Sequence, residues 1–200
     1  PETLSLTKNI PILDALNVKY ILVPTENGAI PITNPYINGN AWFVNQIKTV
    51  STIDDEMKSL EKTDLKNIAI VNVNDFSGLK NATFVRDSTA TITLQNYKPN
   101  YIKYTTQNAN EGLAVFSEVY YPKGWNVYLD GNKGTIFRAN YVLRAMKIPA
   151  GKHTIEFKFE PQVVKTGGTI ALASSIGMLF LIVGGLYFER KKHWHEVDKK

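Results

Sequence analysis

Residues 166–188 read TGGTIALASSIGMLFLIVGGLYF, 23 residues without a charge, and ERKKH follows at once at 189–193. At a rise of 1.5 Å per residue this is roughly 34 Å of helix, enough to cross a hydrocarbon layer of about 30 Å. A buried helix of a water-soluble domain is usually shorter and carries a polar stripe, so the reading is a transmembrane helix. A place near the C-terminus excludes a cleavable signal peptide.

The flanks orient the span. Arg190, Lys191 and Lys192 follow it directly, with Lys199 and Lys200 close behind, whereas the fifteen residues before it hold Lys152, Lys158 and Lys165. The positive-inside rule then makes 189–200 a basic cytoplasmic tail and puts the globular part outside the cell. Small residues recur at four-residue spacing, Gly167, Ala171 and Ser175 on one line, Ala173 and Gly177 on another, a pattern that lets membrane helices approach closely. The chain begins with Pro1, and PETLSLTKNI lacks the charged-then-apolar character of a signal. The expectation is a C-terminal piece of a longer protein whose other transmembrane helices pack on this one, in contact with membrane lipid.

Moving outward, residues 81–161 show period-two alternation. Ile155, Phe157 and Phe159 oppose Thr154, Glu156 and Lys158; Trp125, Val127 and Leu129 oppose Asn126, Tyr128 and Asp130; Val142, Met146 and Ile148 share a face with Arg144. Seven strands are expected, at 89–96, 101–107, 113–120, 125–129, 135–138, 141–148 and 153–159, with turn signals such as KPN at 98–100 and DGN at 130–132 between them. Short strands at this spacing predict an antiparallel β-sandwich. Its last strand runs through Glu160 and Pro161 almost directly into the apolar helix, so the sandwich is expected on the bilayer surface.

Residues 1–80 read as a small mixed α/β subdomain. An amphipathic stretch at 12–18 leads into a β-type run at 19–23 that Pro24 stops, and a Pro/Asn/Gly-rich loop fills 25–40. AWFVNQIKTV at 41–50 reads as one strand. Ser51 is the expected cap of a helix carrying Asp54, Asp55 and Glu56 in its first turns, where carboxylates meet the positive end of the helix dipole. Leu60, Leu65 and IAIV at 68–71 complete a strand–helix–strand unit. The fold class is α+β: mixed subdomain 1–80, β-sandwich 81–161, transmembrane helix 166–188, tail 189–200.

Composition narrows the function classes. There is no cysteine, which excludes a disulfide framework and thiolate metal or iron–sulfur centres. The net charge of +5 divides into 18 basic against 15 acidic residues over 1–165 and 5 against 3 over 166–200. The excess is thin over the globular part and concentrated at the tail, which is no groove-tracking stripe for nucleic acid. No G-x-S-x-G, Walker-type phosphate loop or H-E-x-x-H occurs.

YYPKGW at 120–125, LDG at 129–131, RANYVLRA at 138–145 and PAGKH at 149–153, followed by an apolar helix, resemble the C-terminal end of the YfhO family of bacterial membrane proteins; LNVKYIL at 16–22 and GNAWFV at 39–44 fit the same family. The resemblance implies a large polytopic GT-C-type glycosyltransferase of the bacterial cytoplasmic (inner) membrane, using a polyprenyl-phosphate-linked sugar to modify a cell-envelope polymer on the outer side. In such proteins the catalytic acid and donor-lipid site lie in earlier extracytoplasmic loops and the membrane bundle. The resemblance thus implies no catalytic residue and no cofactor within these 200 positions.

The chemically richest part of the sandwich is its second half. Tyr121, Trp125 and Tyr141, with Tyr120 and Tyr128, offer faces for sugar stacking, and Arg138, Asn140 and Arg144 offer donors to hydroxyls or phosphate. They are the candidate binding residues for an envelope glycan. The competing reading is a structural or assembly module without a ligand, its aromatics in the core and Arg138 and Arg144 paired with Glu118 or Glu156. His193 and His195 flank Trp194 in an H-x-H with no third ligand, so no metal site is assigned and an interfacial tail is expected. His153 reads as a solvated hairpin residue, and NAT at 81–83 as a chance match to the glycosylation pattern.

Overall fold

The computed structural model describes residues 10–26, 28–76, 82–85 and 87–197, with side chains to residue 190. Asn81, the side chains of His193, Trp194 and His195, and Lys199 and Lys200 lie outside the described residues. The chain divides into two compact units, Pro1–Phe159 and Glu160–Lys200.

The first unit is α+β and is organised around a four-stranded antiparallel sheet of order β11(Phe137–Ala139), β12(Leu143–Ile148), β8(Gly112–Val119), β3(Ala41–Val44). Residues 113–116 of β8 are all buried, so this strand is covered on both faces. Ala114 and Phe116, with Met146 and Ile148, meet Ile102, Tyr104, Val127, Ile155 and Phe157 in one apolar cluster. Those partners belong to a five-stranded antiparallel sheet of order β10(Asn132–Lys133), β9(Trp125–Leu129), β13(Gly151–Phe159), β7(Tyr101–Asn108), β6(Thr91–Lys98). Tyr104, Phe116 and Phe157 close this sandwich core with ring centroids 5.0–6.2 Å apart at steep angles, the edge-to-face geometry that the ring quadrupole favours. The strands expected between 89 and 159 are present, the one expected at 135–138 as β11, and an additional two-residue strand, β10, follows the β9 turn.

The other face of the four-stranded sheet, Leu113, Val115, Leu143 and Ala145, meets a second cluster containing Ile47, Leu60, Leu65, Ala69, Ile70 and Val71. Its elements are α1(Pro11–Ala15), β4(Gln46–Val50), α2(Ile53–Leu60) and β5(Ile68–Asn72). β4 and β5 pair in parallel across α2, the expected strand–helix–strand unit. The compact unit therefore spans position 80: β3, from the N-terminal eighty residues, pairs with β8.

Three local expectations are corrected. The stretch 41–50 is two strands, because Asn45 bonds its neighbours sideways: its N–H donates to Asn67 O at 2.9 Å and its Nδ2 to Asn67 Oδ1 at 3.1 Å, and the chain leaves β8 to join β5. Pro24 does not stop the preceding strand. β1(Tyr20–Thr25) runs through it and pairs with β2(Gly28–Thr33), which lies within the expected loop. The hairpin is a two-stranded sheet, so each proline can turn its missing donor to a free edge. The cap of α2 is Thr52 rather than Ser51; Thr52 Oγ1 accepts the Asp55 N–H at 3.0 Å.

The second unit carries α3(Gln162–Val197), 36 residues, whose segment Gln162–Arg190 is long and apolar enough to span a membrane. Its large apolar side chains, Leu172, Phe180 and Leu181 among them, are exposed. Thr169, Ser174 and Ser175 return their hydroxyls to carbonyls four residues back, so their polar groups are satisfied within the helix, as a hydrocarbon environment requires. Helix continues through the expected tail as far as Val197.

Candidate functional site

The sequence-predicted residues fall into two clusters with different partners. Arg138, Asn140 and Tyr141 stand where β11 turns into β12, against α2 and β5. Asn140 and Tyr141 both have positive φ, 50° and 70°, a conformation that costs free energy and persists only where neighbouring contacts hold it. Here two exchanges hold it. The Asn140 N–H donates to Ile70 O at 2.9 Å and Asn140 Oδ1 accepts the Ile70 N–H at 2.8 Å, so one asparagine imitates an extra strand residue beside β5. The Tyr141 N–H donates to Glu56 Oε1 at 2.8 Å.

Glu56 has a larger part than helix-dipole compensation. Its side chain is fully buried and its second oxygen receives Arg138 Nη2 at 3.0 Å, while the same nitrogen reaches Asp75 Oδ2 at 2.9 Å. The partners expected for Arg138, Glu118 or Glu156, are thus replaced by two carboxylates from the α2–β5 layer. Glu156 instead receives the Tyr101 hydroxyl and lies 3.4 Å from Lys158 Nζ. Sequence spacing hides this ion pair because 82 residues separate Glu56 from Arg138.

Arg144 and Trp125 form the other cluster, at the edge of the sandwich core. Arg144 is buried, its Nε donates to Val119 O at 2.8 Å, and its guanidinium carbon lies 4.5 Å from the Trp125 ring centroid and 5.2 Å from that of Phe157. Stacking on two aromatic faces and a nearby carboxylate let a cation stay in an apolar place. That carboxylate is Glu118, placed by the register shift of β8 opposite Leu143 and Arg144. Burial raises the Glu118 pKa and the Arg144 cation opposes the rise; burial lowers the Arg144 pKa and Glu118 opposes the fall. In each group burial has the larger effect, so the pair's attraction offsets the cost of desolvation only in part. Trp125 also packs on Phe159 at 5.4 Å. Of the six residues, Tyr121 is exposed, Arg138, Tyr141 and Trp125 are half-buried, and Asn140 and Arg144 are buried.

His153 is not simply solvated. Nδ1 lies 2.6 Å from Asp130 Oδ2 and Nε2 3.2 Å from Ala150 O, while Asp130 Oδ1 accepts the Thr154 N–H at 2.8 Å. Two acceptors facing two ring nitrogens favour the imidazolium. The Asp130 hydrogen bond accordingly raises the His153 pKa and lowers that of Asp130. The pair ties the β9–β10 turn, where Asp130 and Gly131 have φ of 50° and 83°, to the start of β13. Among the described residues no group of three or more potential metal-ligating side chains occurs.

Residues 45–171 match the family described as bacterial membrane protein YfhO. The chain belongs to the YfhO family. The match runs unbroken from β4 through the sandwich into the first turns of α3, and so includes both clusters. This YfhO-family chain is 26% identical over 129 residues to the "Uncharacterized protein YfhO" of Bacillus subtilis (strain 168), an alignment covering 64% of this chain and 14% of that protein. The chain therefore spans a small part of the length of that relative. No solved structure matches it.

Proposed function

We propose that this chain is the extracytoplasmic, non-catalytic C-terminal region, with one late transmembrane helix, of a polytopic glycosyltransferase-like protein of the bacterial cytoplasmic membrane, which modifies cell-envelope glycans from a polyprenyl-phosphate sugar donor. The head's role in this reading is to hold the acceptor glycan near the membrane-embedded chemistry, which raises its local concentration and limits its search. The observation that carries the reading is the family match, which runs from β4 into the first turns of α3. The lysine and arginine residues after the span support a cytoplasmic tail and an outer head.

A second reading, a structural or assembly module without a ligand, is favoured by the packing of Arg138, Asn140 and Arg144, whose polar groups hold layers of the fold together. Deleting residues 10–159 from the full-length parent, with its helices retained, separates the two. Loss of acceptor modification with the parent still abundant in the membrane supports acceptor handling. Loss of the parent protein itself supports assembly. Unchanged modification overturns both.

A further inference from the structure

We infer that the cleft between α1, the 34–38 loop and the turn before β5 is a binding pocket for a single uncharged sugar ring, an assignment that rests on the acceptor-handling role proposed above. The cleft encloses about 170 Å³. That is the space of about five or six waters in the liquid, which suits one pyranose and no longer oligosaccharide. Its mouth is formed by exposed Pro35, Tyr36, Asp64 and Lys66, its floor by buried Asp14 and Leu65.

The polar groups are held before any ligand arrives. Asp14 is 4% exposed, and its Oδ1 accepts Asn34 Nδ2 at 2.9 Å. A carboxylate has about four acceptor positions, so Asp14 retains capacity for hydroxyl donors. The Asn38 N–H donates to Asp14 O at 2.9 Å, which fixes that residue at the cleft, and the Asn38 Nδ2 is buried without a hydrogen-bond partner. A buried donor left unmade is costly, and a ligand oxygen placed there relieves it. Asp64 Oδ1 accepts the Lys66 N–H at 3.1 Å and Asp64 Oδ2 accepts Asn67 Nδ2 at 2.7 Å, which holds the turn. The loop opposite is pinned by the Tyr36 N–H on Asn34 Oδ1 at 3.0 Å.

The chemistry selects the ligand class. Two carboxylates against one lysine leave an excess of negative charge, which disfavours a phosphate or a carboxylated sugar. Hydroxyl groups suit the site: they donate to Asp14 and Asp64 and accept from Asn38 Nδ2 and Lys66 Nζ, while the Tyr36 ring and the two prolines, Pro11 and Pro35, offer apolar surface to ring C–H groups. Asp14 and Asn38 lie outside the family-matched residues, whereas Asp64, Leu65 and Lys66 lie within them.

Saturation-transfer NMR on the full chain in lipid nanodiscs, with the methyl glycosides of glucose, galactose and N-acetylglucosamine and with inorganic phosphate, tests this. At least one glycoside is expected to bind with a dissociation constant of order 1 mM, and phosphate is not. Asp64→Ala and Asn38→Ala are each expected to weaken that binding roughly tenfold, and Asp14→Asn, which keeps the side-chain shape and the acceptor for Asn34, should weaken it comparably. Absence of binding by all three glycosides, phosphate competing for the same site, or variants binding like the parent sequence would each overturn the pocket. If the pocket fails while deletion of 10–159 still abolishes acceptor modification, the proposed function stands without it. If glycosides bind and that deletion changes nothing, the function fails and the pocket remains.

Discussion

Replacing Glu56 tests whether the α2–β5 layer is locked to the sandwich as described. In Glu56→Ala, Arg138 loses one of two carboxylates and the Tyr141 N–H loses its acceptor. Breaking a fully buried ion pair costs about 3–5 kcal/mol. Arg138 keeps Asp75, and its side chain is 23% exposed, so the ionic loss is set lower, at about 2 kcal/mol. Leaving a buried backbone donor unpaired adds about 1–2 kcal/mol. The sum, about 3–4 kcal/mol, corresponds to a fall in Tm of roughly 6–16 °C for a unit of this size. Glu56→Gln keeps an oxygen for Tyr141 and loses only the charge, so about half that fall is expected. Near-UV circular dichroism melts of the full chain read both values, and a double variant with Arg138→Ala should fall short of additivity by about 1 kcal/mol. If both single variants lie within about 0.5 kcal/mol of the parent sequence, as at an ordinary surface position, the lock is refuted and Glu56 serves the helix dipole alone.

Asn140→Gly keeps the left-handed backbone and its N–H to Ile70 O and loses the side-chain acceptor of the Ile70 N–H, so about 1–2 kcal/mol is expected in urea unfolding; Asn140→Ala adds strain and should cost about 1 kcal/mol more. Gly124→Ala would drive a Cβ into the Phe159 ring, and the forced shift should cost about 1–3 kcal/mol, visible as a lower urea midpoint. The His153–Asp130 pair predicts a pH dependence. The raised histidine pKa makes its contribution full below the unfolded value of about 6.5 and lost as pH rises through the folded value. The lowered aspartate pKa makes its contribution present above about 3.9 and lost as pH falls through the folded value. The Tm difference between the parent sequence and His153→Gln should therefore be largest between about pH 4 and 6.5 and shrink above pH 7; a flat difference, or an NMR-titrated His153 pKa below 6.5, contradicts the pairing.

What sequence periodicity conveys is strands and faces, and these were legible: Ile155 and Phe157 point into the core as their alternation requires, and β9 occupies 125–129 as expected. Long-range partners were not. Nothing local tells a helix carboxylate at position 56 that Arg138 will face it, or that Asn140 will complete the edge of β5. The division of 41–50 was hidden because AWFV and QIKTV share one β-type composition, and only the Asn45–Asn67 bonds reveal the change of sheet. Prolines at 24 and 31 conceal a hairpin because a breaker inside a sheet is harmless at a free edge. Arg144 was legible as a residue needing a partner. The partners, two aromatic faces, the Val119 carbonyl and Glu118, come from three other strands and the bulge beside one of them. The cleft at Asp14, Asn38 and Asp64 has no motif, since a short helix, a loop and a turn distant in sequence build it.

The account depends on a head outside the cell and a tail inside it. The chain has no cysteine, so single-cysteine labelling with a membrane-impermeant maleimide reads topology without background. Lys123→Cys, at an exposed turn of the head, should label in intact cells, and Glu196→Cys should label only after permeabilisation. Labelling of Glu196→Cys in intact cells with Lys123→Cys protected would invert the topology and contradict the account.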